Sequence, residues 1–165
     1  MFNKETDFEN ALIALLSTKS WEKEVLRYPT EEKLIANWQE HLNKTNQHID
    51  KLDVPLLRTE MNQILEQVQA LKTPYALNGF INGKTVAIKR ENEESRHFGK
   101  EVSLDIFDRE EISAGKSRYQ IAQQPQFTPR SDLYPKQRGD LMLLINGMPM
   151  FHIELKRSGV PISQA

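Results

Sequence analysis

Cysteine is absent from the chain. That excludes disulfides and thiolate metal sites and fits a reducing compartment. Long apolar runs are absent too: no stretch approaches the roughly 18 apolar residues of a membrane span. The opening residues, Met1-Phe2-Asn3-Lys4-Glu5, lack the apolar core of a secretory signal, so a cytoplasmic location is expected. Net charge is nearly absent, at −1 from 22 Lys/Arg and 23 Asp/Glu, which argues against a free-standing DNA-binding protein. What remains is an ordinary globular composition, 38% hydrophobic and 27% charged. At 165 residues the simplest reading is one domain over 1–165 with a real core.

The charge is unevenly spread. Residues 1–75 hold nine Lys/Arg and twelve Asp/Glu, whereas residues 112–165 hold seven Lys/Arg and three Asp/Glu. A basic C-terminal third suits phosphate contact, and a plain solvated face accounts for it equally well.

Residues 1–73 read as helical. Thr6 and Glu9 have capping-box spacing, ahead of an apolar face of Phe8, Leu12, Ile13, Leu15 and Leu16. Thr30 is placed to cap a second helix that buries Leu34, Ile35, Trp38 and Leu42. Residues 20–27 fit a short helix or a strand. Met61, Ile64, Leu65, Val68 and Leu71 mark a third helix, stopped by Thr73-Pro74. From Tyr75 the period becomes two. Tyr75–Ile81 and Thr85–Lys89 flank Asn82-Gly83 as a hairpin, Glu91–Gly99 is loop, and Val102–Phe107 and Tyr119–Phe127 are strands. Two apolar strands follow, Asp140–Ile145 and Met150–Lys156. Residues 75–165 are thus the sheet-containing part, and helices on a mixed sheet define an α/β or α+β fold.

Chemistry concentrates in the last hairpin. By strand alternation His152, Glu154 and Lys156 share one face, with apolar Phe151, Ile153 and Leu155 behind them. Asp140 lies on the neighbouring strand. Two carboxylates beside an ammonium suit a hard divalent cation acting on a phosphate. The alternative is a cross-strand ion pair between Lys156 and either carboxylate. Register decides whether the carboxylates meet. A strict two-residue turn at Asn146-Gly147 would pair Asp140 with Ile153 and turn Glu154 to the opposite face. The expectation is therefore a bulged hairpin, drawn as a three-residue loop with Gly147 in a bulge and Asp140 opposite His152.

Arg138-Gly139-Asp140, the run from Leu141 to Pro149, and Ile153-Glu154-Leu155-Lys156 closely resemble the PD-(D/E)xK nuclease core of the type I restriction enzyme R (HsdR) subunit. Ser117–Ile121, Gln124–Phe127 and the helix segment Thr59–Leu65 agree with it. The resemblance implies a restriction-endonuclease-like mixed sheet with an N-terminal group of helices. It implies that Asp140 and Glu154 ligate Mg²⁺, that Lys156 orients or activates the hydrolytic water, and that double-stranded DNA is hydrolysed. The partners implied are the methylase and specificity subunits, and ATP would act only through motor domains outside this chain. Gly139 stands where many members carry proline, a change expected to cost local stiffness. The family's Gln-x-x-x-Tyr helix would begin near Ser163-Gln164-Ala165, so the chain reads as an N-terminal piece of a longer subunit. Two competing readings are a binding or assembly module that keeps the fold without catalysis, and another PD-(D/E)xK nuclease of DNA repair.

Other candidates are weaker. Glu60 is either an additional site carboxylate or a first-turn helix residue, the second being favoured. Gly83-Lys84-Thr85 lacks the spacing of a P-loop, since Asn78 stands where its first glycine belongs. His41, His48, His97 and His152 show no metal spacing; His152 reads as a hydrogen-bonded member of the sheet, or as a contact to DNA or a metal-bound water. Trp21 and Trp38 read as core.

Overall fold

The computed structural model describes residues 5–81, 85–107, 115, 117–127 and 137–155. The elements run α1 (Glu5–Ser17), β1 (Val25–Arg27), α2 (Glu31–Thr45), α3 (Arg58–Gln69), α4 (Pro74–Ile81), β2 (Thr85–Lys89), β3 (Glu101–Asp105), β4 (Tyr119–Gln123), β5 (Gln126–Phe127), β6 (Gln137–Arg138), β7 (Leu141–Ile145) and β8 (Met148–Ile153). The chain divides into two compact units, residues 1–37 with 117–165, and residues 38–116.

The first unit is built on a four-stranded mixed sheet in the order β1-β4-β7-β8. β1 runs parallel to β4, and the other pairs are antiparallel. β4 and β7 carry apolar residues toward both faces, because both faces are covered. On one face Ala122, Met142 and Leu144 pack with Leu34 of α2, Leu26 and Phe127. On the other, Ile121, Leu141 and Leu143 pack with Leu12, Ile13 and Leu16 of α1, together with Trp21, Val25 and Ile153. Trp21 also meets Tyr119 edge to face, with ring centroids 5.5 Å apart. The expected mixed sheet and helical N-terminal part are both present, as an α/β fold of restriction-endonuclease-like type.

α2 starts as its sequence indicates: the Lys33 N–H donates to Thr30 Oγ1 at 3.3 Å, and Leu34, Trp38 and Leu42 are buried. α1 differs. It begins at Glu5, so Thr6 sits inside the helix and does not cap it. Glu9 lies one turn before Ile13 and two before Leu16, on the stripe that faces the sheet, and is buried.

The second unit pairs β2 with β3, setting Val86 opposite Leu104 and Ile88 opposite Val102, all four buried. α3 packs against β2. Gln63 exchanges hydrogen bonds with the Lys89 backbone (2.9 and 3.0 Å), and Gln67 Nε2 donates to Ala87 O at 2.8 Å. Glutamines one helical turn apart thereby satisfy the backbone edge of β2.

Tyr75–Ile81, expected as a strand, is helical. Thr73 Oγ1 accepts the Ala76 N–H at 3.1 Å, and Pro74 occupies the first helical position. α3 has already ended at Gln69, with Ala70 as its C-cap, and threonine-proline starts the next helix, because proline's fixed φ and missing N–H suit the first turn. β2 consequently takes β3 as its partner. The proposed turn at Asn82-Gly83, and Lys84, lie outside the described residues. Thr85 opens a strand, which agrees with rejecting a P-loop there.

The loop over 91–99 is pinned by Asp53. Its carboxylate accepts from Ser95 Oγ and from the Arg96 N–H, both at 2.7 Å. The Ser95 hydroxyl, chiefly, holds the Asp53 pKa down from 3.8 to about 2. A depressed folded-state pKa means the contribution to stability is complete above 3.8 and lost as pH falls toward about 2. Acid titration of Asp53→Asn should therefore remove a stability change confined to that window. An acid profile identical to that of the parent chain would contradict this role.

Candidate functional site

The hairpin that closes the sheet carries the candidate site. Asn146 and Gly147 both take positive φ, 52° and 79°, as a two-residue type I′ turn requires. Ile145 pairs with Met148 and Leu144 with Pro149, but Leu143 pairs with Phe151, so Met150 has no partner. The bulge that the shared-face argument demands is present, not in the loop as drawn from the sequence but three residues into β8. Proline explains its place: Pro149 offers no N–H to the ladder and is tolerated at bulges.

The extra residue resets the register. Met142 then faces His152 and Leu141 faces Ile153. One step further, the register opposes Asp140 to Glu154, rather than to His152 as expected. Asp140 Oδ2 accepts the backbone N–H of Leu155, the residue after Glu154, at 2.6 Å. Leu155 is buried and fixes the end of β8, while Asp140 is half-buried and Glu154 reaches solvent. Among the described residues Asp140 Oδ1 has no hydrogen-bond partner. Lys156 lies outside the described residues.

His152 adjoins the Glu154 carboxylate. Its Nε2 lies 3.1 Å from Glu154 Oε1, and its side chain is 46% exposed. The contact is with Glu154 rather than with the sheet backbone. Gly139 is buried beneath the same ring: a Cβ there would overlap Nε2 and approach Cδ2 to 3.0 Å and Cε1 to 3.2 Å. Glycine at this position thus makes room for the imidazole, besides softening the backbone. The Gly139 N–H donates to Pro125 O at 3.3 Å, a bond proline could not make.

Behind the site, the Gln124 N–H donates to Asp140 O at 2.8 Å. Gln124 takes a positive φ of 51°, and its Nε2 donates to both oxygens of Glu9 at 3.2 and 3.1 Å. Gln123 Nε2 adds a bond to Glu9 at 2.9 Å. Glu9 therefore anchors the end of β4 against which Asp140 is set. Sequence reasoning spent this residue on a helix cap. The signal it missed was a carboxylate in phase with Ile13 and Leu16.

Glu60 belongs to the second unit, and the helix-start reading holds: the Leu57 N–H donates to its Oε2 at 2.8 Å. Glu60 is also fully buried against Arg90, with Nη1 and Oε2 2.8 Å apart, and its Oε1 accepts the N–H groups of Glu91 and Asn92. Among the described residues no three His, Asp or Glu side chains cluster to hold a metal. The two carboxylates that the register sets opposite each other are those of Asp140 and Glu154. Two carboxylates with remaining positions left to water and phosphate suit Mg²⁺, which dehydrates reluctantly.

A mixed sheet covered by helices on both faces, with carboxylates at the ends of two adjacent strands, defines the restriction-endonuclease-like class. Residues 3–165 match the family described as Type I restriction enzyme R protein N terminus, and the chain belongs to that family. It is 30% identical over its whole length to the type I restriction enzyme SsaAORF53P endonuclease subunit of Staphylococcus saprophyticus. It is 28% identical over 99% of its length to the SauMSSORF170P endonuclease subunit of Staphylococcus aureus strain MSSA476. The chain spans 16% of the length of each of these relatives. Among the described residues no helix is long and apolar enough to cross a membrane.

Proposed function

We propose that this domain is the Mg²⁺-dependent nuclease centre of a type I restriction enzyme R subunit, hydrolysing phosphodiester bonds of double-stranded DNA. The observation that carries the reading is the Met150 bulge, which shifts the β8 register by one residue so that Glu154 falls opposite Asp140 at the end of β7 and β8. Without it the two carboxylates would point to opposite faces of the sheet.

Asp140, through Oδ1, and Glu154 would hold the cation with hard oxygen donors. When bound, Mg²⁺ supplies Lewis acidity toward water and a phosphate oxygen. The chain's own contribution is placement. Leu155 fixes Asp140, His152 touches Glu154, and Lys156, two residues beyond Glu154, brings an ammonium to stabilise developing negative charge. The role of Lys156 rests on sequence and on the family resemblance. In the same reading methylase and specificity subunits are the partners, and ATP serves motor domains elsewhere in the full-length subunit.

Calorimetry of the nucleotide-free full-length subunit tests the ligand pair. Mn²⁺ or Mg²⁺ should bind with a heat that disappears in Asp140→Ala. Equal binding by both proteins would remove Asp140 from the metal site. No binding by either would favour the non-catalytic assembly module.

A further inference from the structure

We propose that Arg27 and Tyr28, at the end of β1, hold the backbone of the DNA strand that is cut. Arg27 takes an oxygen of a phosphate near the scissile one, and the Tyr28 hydroxyl takes a phosphate or sugar oxygen beside it. The inference rests on the nuclease reading and adds to it a substrate-holding surface outside the last hairpin.

Register puts both residues at the edge of the sheet that carries the site. β1 pairs with β4 so that Arg27 lies opposite Gln123, and the same offset resumes past the strand ends at Thr30 and Gln126. Tyr28 therefore falls opposite Gln124. Gln124 donates its N–H to Asp140 O at 2.8 Å, and the β7–β8 register opposes Asp140 to Glu154. One row thus crosses all four strands: Tyr28, Gln124, Asp140, Glu154. Adjacent strands are about 4.8 Å apart, so Tyr28 stands about 10 Å from Asp140, roughly three base steps of duplex rise. A single DNA strand can reach both.

The chemistry at the β1 end of that row is unclaimed. Arg27 is exposed, and its Nη1 donates to Gln123 Oε1, a neutral acceptor, at 2.7 Å. Gln123 is buried and its Nε2 donates to Glu9 at 2.9 Å, which fixes the amide with its oxygen toward Arg27. The guanidinium is thus held without being neutralised. Among the described residues, the carboxylates paired with arginine serve Arg90, Arg96 and Arg118. Glu31 and Glu32, close by in the chain, sit in the first turn of α2 and answer its positive end. An oriented arginine with donors to spare suits a phosphate.

Tyr28 is the second, independent sign. Its φ is 51°, a left-handed conformation that suits glycine or asparagine and strains a bulky side chain. The backbone enforces it: the Tyr28 N–H donates to Gln123 O at 2.8 Å, and the Gln126 N–H to Pro29 O at 2.9 Å. Little burial comes in return, since Tyr28 is 53% exposed. A strained, exposed aromatic hydroxyl in line with two carboxylates fits a residue kept for what it binds.

The experiment uses the full-length subunit assembled with its partners, cleaving circular duplex DNA over a range of salt concentrations. Arg27→Ala should slow cleavage about 10-fold or more. It should also flatten the log–log salt dependence by about one, the signature of a lost phosphate contact. Arg27→Lys should restore the slope but only part of the rate, because it keeps the charge and loses the planar fork. Tyr28→Phe should slow cleavage a few-fold. Tyr28→Asn should slow it at least as much, with hydrogen exchange at β1 and β4 no faster than in the parent, since asparagine accepts a left-handed φ. Mn²⁺ calorimetry of the nucleotide-free subunit should give the parent affinity in all four variants. Parent-rate cleavage by either Arg27→Ala or Tyr28→Phe overturns the proposal, as does a slowed Arg27→Ala with an unchanged salt slope. Faster exchange in Tyr28→Asn overturns it by giving Tyr28 a packing role, and weakened Mn²⁺ binding overturns it by moving the effect to the metal. The nuclease reading itself fails differently, through parent Mn²⁺ binding that survives Asp140→Ala.

Discussion

Asp140→Asn in the full-length, assembled subunit should abolish DNA cleavage while leaving ATP hydrolysis and assembly intact. Asparagine separates the two duties of this side chain. Its Oδ1 can still accept the Leu155 N–H, now at 2.6 Å from the carboxylate, so the strand end should stay in place. What disappears is the negative charge that a hard cation requires. Metal-assisted stabilisation is worth several kcal/mol, so the rate should fall about 10³-fold or more. Glu154→Gln should behave alike, because it too keeps shape and loses charge. Cleavage of circular duplex DNA, followed by the appearance of linear product, measures the loss. Wild-type linearisation by Asp140→Asn would end the assignment.

The irregularity of the last hairpin was legible in the sequence, though its position was not. Strand alternation alone demanded an odd residue between Asp140 and Glu154, since a regular hairpin would have separated them. Its position was misread because Asn146-Gly147 satisfies two turn types. The pair takes the tighter one, with both residues at positive φ, and the misfit moves on to Pro149-Met150, where a proline without an N–H weakens the ladder anyway. The Pro149 signal was present and unused. Thr73-Pro74 failed for a similar reason: α3 has ended by Gln69 and the dipeptide starts α4, a signal that reading it only as a stop, with Tyr75–Ile81 in period two, leaves out. Glu9 and Arg90 were illegible in another way. Their partners, Gln123 with Gln124 and Glu60, lie far off in sequence, and no local pattern announces a buried polar group whose partner is supplied by tertiary structure. The role of Gly139 was hidden likewise, since its neighbour in space, His152, is thirteen residues away by the numbering of the chain.

The second large effect lies in the other unit. Glu60→Ala should destabilise the 38–116 unit by about 3–5 kcal/mol, because it leaves the Arg90 guanidinium buried without its counter-charge. Against a total of about 5–15 kcal/mol for a typical domain, that is enough to unfold a marginal one. The loss is not only electrostatic. Glu60 also accepts the N–H groups of Leu57, Glu91 and Asn92 at 2.8, 2.7 and 3.2 Å, joining the start of α3 to the turn after β2. Glu60→Gln keeps an acceptor and should fall between alanine and the parent chain. Removing both charges, as Glu60→Leu with Arg90→Met, should recover only part of the loss. An apolar pair can replace an ion pair, but it cannot satisfy three backbone donors. Urea unfolding, with hydrogen exchange read at α3 and β2, resolves the three variants. A Glu60→Ala chain within about 0.5 kcal/mol of the parent, the range of ordinary surface substitutions, would show that Arg90 finds another partner and that the pair does not hold this unit together.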